Sequence, residues 1–228
     1  TFATGMAVTQ ACEDVIAECK KRAAMTWGLD EDQVEWEDGQ AVPGPGVNAD
    51  IKPLSLADLA GKAAKTGGPI QGRASLNAQG AGASFSVNFG DLRVDQETGK
   101  VDVLSYTAVQ DAGKAIHPAY VEGQMQGGAA QGLGWALNEE YIFNDAGVLE
   151  NPGFLDYRIP VCSDLPMIDT AIVEVPNPSH PYGVRGVGEA PIVAPLAVAT
   201  NAVSRAIDKR LSDLPLSPPN VLDVIDSE

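Results

Sequence analysis

Five glycines fall within twelve residues, Gly123-Gln124-Met125-Gln126-Gly127-Gly128-Ala129-Ala130-Gln131-Gly132-Leu133-Gly134, in a stretch otherwise patterned as a helix. Each interior glycine costs a helix about 1 kcal/mol relative to alanine. A helix that keeps so many must bring its backbone very close to another surface, either a packed helix or a ligand. Gln124, Gln126 and Gln131 add amides that donate and accept hydrogen bonds, which close packing does not need. The run lacks both the Gly-x-Gly-x-x-Gly that follows a strand and the Gly-Lys-Ser/Thr of a P-loop, so dinucleotide and triphosphate readings lose their main support.

Around this run the hydrophobic spacing predicts alternating helices and hairpins. Val8, Ala11, Cys12, Val15, Ile16, Cys19 and Ala23 recur at helical intervals, which predicts a helix over 6–27 with Gly28 as its stop. Asp38-Gly39 between Val34-Glu35-Trp36 and Gln40-Ala41-Val42 predicts a tight hairpin. After a Pro/Gly loop over 43–50, Ser55-Leu56-Ala57-Asp58 reads as a capping box opening a short helix to about Lys65. Alternation over 84–94 and 101–109, joined through Glu97-Thr98-Gly99, predicts a strand pair. The Gly-rich helix spans about Pro118 to Leu137. A hairpin at Asn144 to Gly147, a strand at Ile172 to Val175 and a helix starting near Pro195 follow. The tail beyond Leu211 is proline-rich and reads as irregular. With helices and mostly antiparallel strands interspersed, the expected class is α+β, as one large domain or two packed subdomains over 1–228.

Composition narrows the partners. A net charge of −16 without a basic cluster disfavours nucleic acid and anionic lipid. The densest apolar run, Pro191 to Val203, falls short of the ~18 residues that span a bilayer, so a soluble, cytoplasmic protein is expected. The N-terminus has neither an initiator Met nor the pattern of a signal peptide, consistent with a fragment or processed product. Cys12, Cys19 and Cys162 form no Cys-x-x-Cys and read as buried structural thiols. No set of metal-ligating residues is expected within the chain.

A second glycine-rich constellation, Tyr182-Gly183-Val184-Arg185-Gly186-Val187-Gly188-Glu189-Ala190-Pro191, lies about 60 residues beyond the first. It sets one carboxylate among glycines and apolar residues, where a bound group can come close and a general base can work. In isolation, Glu189 could equally complement the dipole of the helix that follows. His117 by itself reads as a turn residue.

Taken in order, Asp111-x-Gly113 with Pro118, the run from Gly123-Gln124 to Gly134, Tyr157-Arg158-Ile159-Pro160 and Gly186-Val187-Gly188-Glu189 resemble the molybdenum hydroxylases. This is the xanthine dehydrogenase and aldehyde oxidoreductase family, in the second half of its molybdopterin-binding subunit. Gly5-Met6-Ala7-Val8 looks like a helix start just past a cofactor loop of that family. His117 departs from the asparagine common before the proline.

The resemblance implies Glu189 as the catalytic base, Gln124 as a hydrogen-bonding partner of the pterin, and Arg185 and Gly188 beside the cofactor. It also implies hydroxylation of an aldehyde or N-heterocyclic carbon with oxygen from water. The cofactor would be a molybdenum–pterin, its cytosine dinucleotide form included, with iron–sulfur clusters and FAD on partner chains. The implied partners are a companion chain carrying the N-terminal half of the molybdenum subunit, an iron–sulfur subunit, as a rule an FAD subunit, and a small-molecule substrate. A non-catalytic assembly module of the same fold is the alternative.

Overall fold

A computed structural model describes residues 2–47, 50–77 and 82–227. Two compact units divide the chain, 1–79 and 80–228.

In the first unit, helix α1 runs Phe2–Trp27, four residues earlier at its start than the spacing predicts. Strands β1 (Val34–Glu37), β2 (Gln40–Pro43) and β3 (Leu54–Ser55) form an antiparallel sheet in that order, and α2 (Leu56–Thr66) closes the unit. Asp38 and Gly39 take φ of 47° and 79°, the paired positive angles of the tight turn that Asp-Gly favours. Ser55 and Asp58 complete the capping box, with the Asp58 amide donating to Ser55 Oγ at 3.2 Å and the Ser55 amide to Asp58 Oδ2 at 3.0 Å. The Ser55 hydroxyl, donating to Asp58 Oδ2 at 2.6 Å, and then the Ser55 amide hold the Asp58 carboxyl below the ordinary range.

The core of this unit is Cys19, Ala23, Ala24, Val34, Ala41 and Leu59. The sheet and α2 therefore cover only the second half of α1. Cys19 is buried, which pushes its thiol up, whereas Cys12 and Cys162 are exposed, so the expectation of three buried thiols holds for one.

The second unit carries β4 (Ser86–Val94), β5 (Val101–Asp111), α3 (Pro118–Leu137), β6 (Ile168–Val173), α4 (Ala190–Ile207) and α5 (Pro218–Asp226). The sheet order is β4-β5-β6; β4 pairs antiparallel to β5, and β6 pairs parallel to it. The route from β5 through α3 to β6 is thus a strand–helix–strand crossover that the sequence reading does not foresee. The intervening segment of 138–167 hides it. Fold class stands as α+β. Tyr106, Ala108, Met125, Leu133, Ala199, Val203 and Val221 lie at the centre of the core, where α3 and α4 cover one face of the sheet.

Three expectations change. The hairpin at 144–147 is reduced to a turn with a single bridge, Phe143 to Leu149. The tail is not irregular: Pro218 and Pro219 occupy the first turn of α5, where a missing N–H is harmless, and Val221 is buried. Helix α4 begins five residues before Pro195, placing that proline inside the helix and making Glu189 its N-cap.

Why an interior proline is tolerated follows from α3. A Cβ on Gly128 would lie 2.7 Å from Pro191 Cβ, and one on Gly132 would lie 2.8 Å from Pro195 Cγ and 2.7 Å from the Ile192 carbonyl oxygen. Two glycines one turn apart receive two prolines one turn apart. As a helix, α4 has 18 residues with mean hydropathy 1.3, enough by length and composition to cross a membrane. Its Pro191, Pro195, Ala199 and Val203 are buried, a stripe at helical spacing along one side of the helix.

Candidate active site

The C-terminal end of β5 anchors everything around Glu189. Asp111 Oδ1 accepts from the Gly113 amide at 2.8 Å and the Val175 amide at 3.1 Å, while Oδ2 pairs with Arg185 Nε at 3.2 Å. Arg185 also donates from Nε to the Val175 carbonyl at 3.1 Å and from Nη1 to the Ala83 carbonyl at 2.8 Å. Gly113 bridges Val184, with the Lys114 amide donating to Gly183 O and the Arg185 amide to Ala112 O. At φ 64° Gly113 needs the left-handed region, and a Cβ there would collide with the Gly183 carbonyl. Lys114 and the Ala115 amide both bond Glu174, and hold its carboxyl below the ordinary range.

Beyond this anchor the chain forms the Gly186-Val187-Gly188 arch leading into α4. Val187 packs on the core of the unit. From α3, Gln124 Nε2 donates to the Gly188 carbonyl at 2.9 Å. From β5, the buried Gln110 donates through Nε2 to Ser84 Oγ and to the Gly186 carbonyl, both at 3.3 Å. Glu189 is exposed at the N-cap of α4, and its side chain makes no capping hydrogen bond.

The structure therefore brings together three of the residues singled out in the sequence, Gln124, Gly188 and Glu189, across 64 residues of chain. Arg185 is engaged with Asp111, Val175 and Ala83, and only its Nη2 end lacks a bonded partner among the described residues. His117 caps α3, its Nδ1 accepting from the Tyr120 amide at 3.3 Å and its ring stacked on Tyr120 at 3.9 Å. Sequence reasoning missed Gln110. Its signal is a polar residue at an inward position of β5, two on from the buried Ala108, where a buried amide needs a partner.

The glycines of α3 divide by environment. Gly128 and Gly132 face α4, as described above, and Gly134 lies against Pro160. Gly123 and Gly127, like Gly186 and Gly188 in the arch, would meet no atom within 4 Å on gaining a Cβ. Open glycines on both segments joined by the Gln124 bond leave the room that close approach of a ligand requires.

A cavity of about 750 Å³ opens beside α3, bounded by Gln126, Gly127, Gln131, Ile159, Pro160 and Met167. Ile159 and Pro160 are the second half of the Tyr157-Arg158-Ile159-Pro160 motif. Tyr157 donates to Glu139 Oε2 at 2.8 Å, a bond that pushes its phenol up to about 12.

The Asp111–Arg185 pair is largely buried, with side chains 11% and 13% exposed. Arg185→Met is expected to destabilise the chain by roughly 3 kcal/mol, because it leaves a buried carboxylate without its cation. The shift of the urea midpoint measures this. A loss below about 1 kcal/mol would mean that the pair behaves as a surface bridge.

The chain belongs to the molybdopterin cofactor-binding domain family, whose sequence pattern matches residues 1–166. It is 38% identical over 169 residues to the putative xanthine dehydrogenase molybdenum-binding subunit XdhA of Escherichia coli K12, covering 72% of this chain and 22% of that protein. It is 28% identical over 239 residues to subunit gamma of the 6-hydroxypseudooxynicotine dehydrogenase complex of Paenarthrobacter nicotinovorans, covering 97% of this chain and 29% of that protein. Among solved structures, quinoline 2-oxidoreductase from Pseudomonas putida 86 superposes with a TM-score of 0.79 at 26% identity, over 98% of this chain and 30% of that one. The chain thus spans 22% and 29% of the length of these two curated relatives. The family match ends at residue 166, upstream of Arg185 to Glu189.

Proposed function

We propose that this chain is the portion of a molybdenum–pterin oxidoreductase that presents the catalytic base, Glu189, to a cofactor held with the help of Gln124, Gly188 and the free end of Arg185. The carrying observation is the Gln124 to Gly188 hydrogen bond, which joins the two glycine-rich segments beside a carboxylate with no capping partner. The residues suit such a group. Gly123, Gly127, Gly186 and Gly188 leave open approach, and Gln124 retains one amide N–H and its carbonyl oxygen for a pterin edge.

When bound, the cofactor supplies metal activation of water and a two-electron sink. Glu189 takes the proton released from the water that provides the oxygen, on a carboxylate oxygen held at the start of α4. The arch and α3 position the cofactor edge and keep Glu189 beside it. The reaction is hydroxylation of an aldehyde or an N-heterocyclic carbon, a range that the names of the relatives span, from xanthine dehydrogenase to aldehyde oxidoreductase. Because Glu189 is exposed in this chain, exclusion of water falls to a companion chain carrying the N-terminal half of the molybdenum subunit. Electrons leave through iron–sulfur and FAD subunits, and the assembly works in the cytoplasm. The cytosine dinucleotide is one form the pterin takes.

The test is turnover by the purified assembly on a panel of aldehydes and N-heterocycles, with an artificial electron acceptor, in ¹⁸O-labelled water. Label in the hydroxylated product is the expected result. Oxygen drawn from dioxygen, or no turnover across the panel, would contradict the reading.

A further inference from the structure

The arch ahead of Glu189 is held from two sides by the same chemistry. Gln110 reaches it from the buried face, donating to the Gly186 carbonyl at 3.3 Å, and Gln124 reaches it from α3, donating to the Gly188 carbonyl at 2.9 Å. Between the two carbonyls, Val187 is packed on the core. Neither glycine has a side chain to restrain it, and Gly186, Val187, Gly188 and Glu189 donate no backbone hydrogen bond within the described residues. With four amides unbonded, those two donated bonds and the Val187 side chain are what hold the arch to the rest of the unit.

Gln110 is 1% exposed and also bonds Ser84 Oγ, so its amide is fixed in place before the arch meets it. Gln124 is exposed and belongs to the open surface of α3. We infer that Gln110 and Gln124 form a two-amide clamp on Gly186 and Gly188 that positions Glu189, with Gln110 as its buried, permanent jaw and Gln124 as its outer, ligand-facing jaw. Gln110 is a positioning residue, since it acts on Glu189 only through the Gly186 carbonyl. Gln124 has two amide hydrogens, of which one is committed to Gly188. A ligand that engages the other tightens the same side chain that holds the arch, so cofactor binding and the placement of the base are coupled through one amide. The purpose assigned to the clamp rests on the reading of Glu189 as base; its existence does not.

NMR on the full chain separates the two. With both jaws in place, backbone order parameters at Val187, Gly188 and Glu189 are expected near ~0.85, the value of rigid backbone. Gln110→Met and Gln124→Met keep side-chain volume and remove the donor. In either variant the same three residues are expected to fall below ~0.6, the flexible range, while β5 and α3 keep their values. The Gly186 carbonyl resonance should move upfield in Gln110→Met alone, and that of Gly188 in Gln124→Met alone. Gln124 is exposed, so its variant keeps the test decisive if Gln110→Met fails to fold. Order parameters unchanged in Gln124→Met would overturn the clamp.

In the assembled enzyme, Gln110→Met is expected to lower kcat per bound molybdenum with KM unchanged. A general loss of fold would instead lower metal content and kcat together. If the NMR result holds and Glu189→Gln leaves activity intact, the clamp stands and the role of Glu189 as base falls.

Discussion

Glu189→Gln is expected to remove turnover from the assembled enzyme, by a factor on the order of 10² to 10⁴, the usual contribution of a positioned general base. Molybdenum and pterin content should stay at the wild-type level. The substitution is close in shape, and the side chain makes no capping hydrogen bond, so the fold loses only a charge–dipole contribution of about 0.3 to 1 kcal/mol at the start of α4. The amide keeps the geometry and loses the ability to accept a proton. Steady-state kinetics alongside metal analysis of the same preparation separates the two effects. Activity within a few fold of wild type would remove Glu189 from the mechanism, and loss of cofactor together with activity would make it a binding residue.

The second large effect concerns two alanine substitutions in one helix with opposite signs. Gly132→Ala places a methyl 2.7 Å from the Ile192 carbonyl oxygen and 2.8 Å from Pro195 Cγ. Backbone and a proline ring give way poorly, so overpacking of about 1 to 3 kcal/mol outweighs the ~1 kcal/mol gained in helix propensity. Gly123→Ala meets no atom within 4 Å and should stabilise the chain by about 1 kcal/mol. Urea unfolding of the two variants tests this, and midpoints moving in the same direction would mean that α3 and α4 do not pack as described. Gly123→Ala has a further expected consequence. If a cofactor approaches the open face of α3, the more stable variant retains less molybdenum.

The contrast between those two glycines shows where sequence reasoning stops. The helix over 118–137 is legible from its pattern, and so is the need for close approach. Which glycine serves packing and which serves a ligand is not, because that depends on α4, whose start is misplaced when Pro195 is read as a first helical residue. In the structure the helix begins at Ala190, and the move makes Glu189 an N-cap. The hairpin at Asp38-Gly39 and the capping box at Ser55 are local signals and survive intact. The parallel pairing of β6 with β5 has no local signal, since its crossover includes the irregular stretch of 138–167.

In the proposed site, Glu189 and Gln124 are singled out through the order of motifs. Arg185 is legible as a residue but not in its engagement with Asp111, Val175 and Ala83. Gln110 stays hidden, because a polar residue in a strand reads as outward-facing until its neighbours on the inner face, Tyr106 and Ala108, are seen to be buried.

The most direct test of the account is the molybdenum and pterin content of the chain purified under native conditions with whatever accompanies it. The expected result is molybdenum and pterin in near-equal amounts, together with at least one further polypeptide. A preparation with neither metal nor pterin and no second polypeptide would contradict the central claim and leave a non-catalytic module of the same fold.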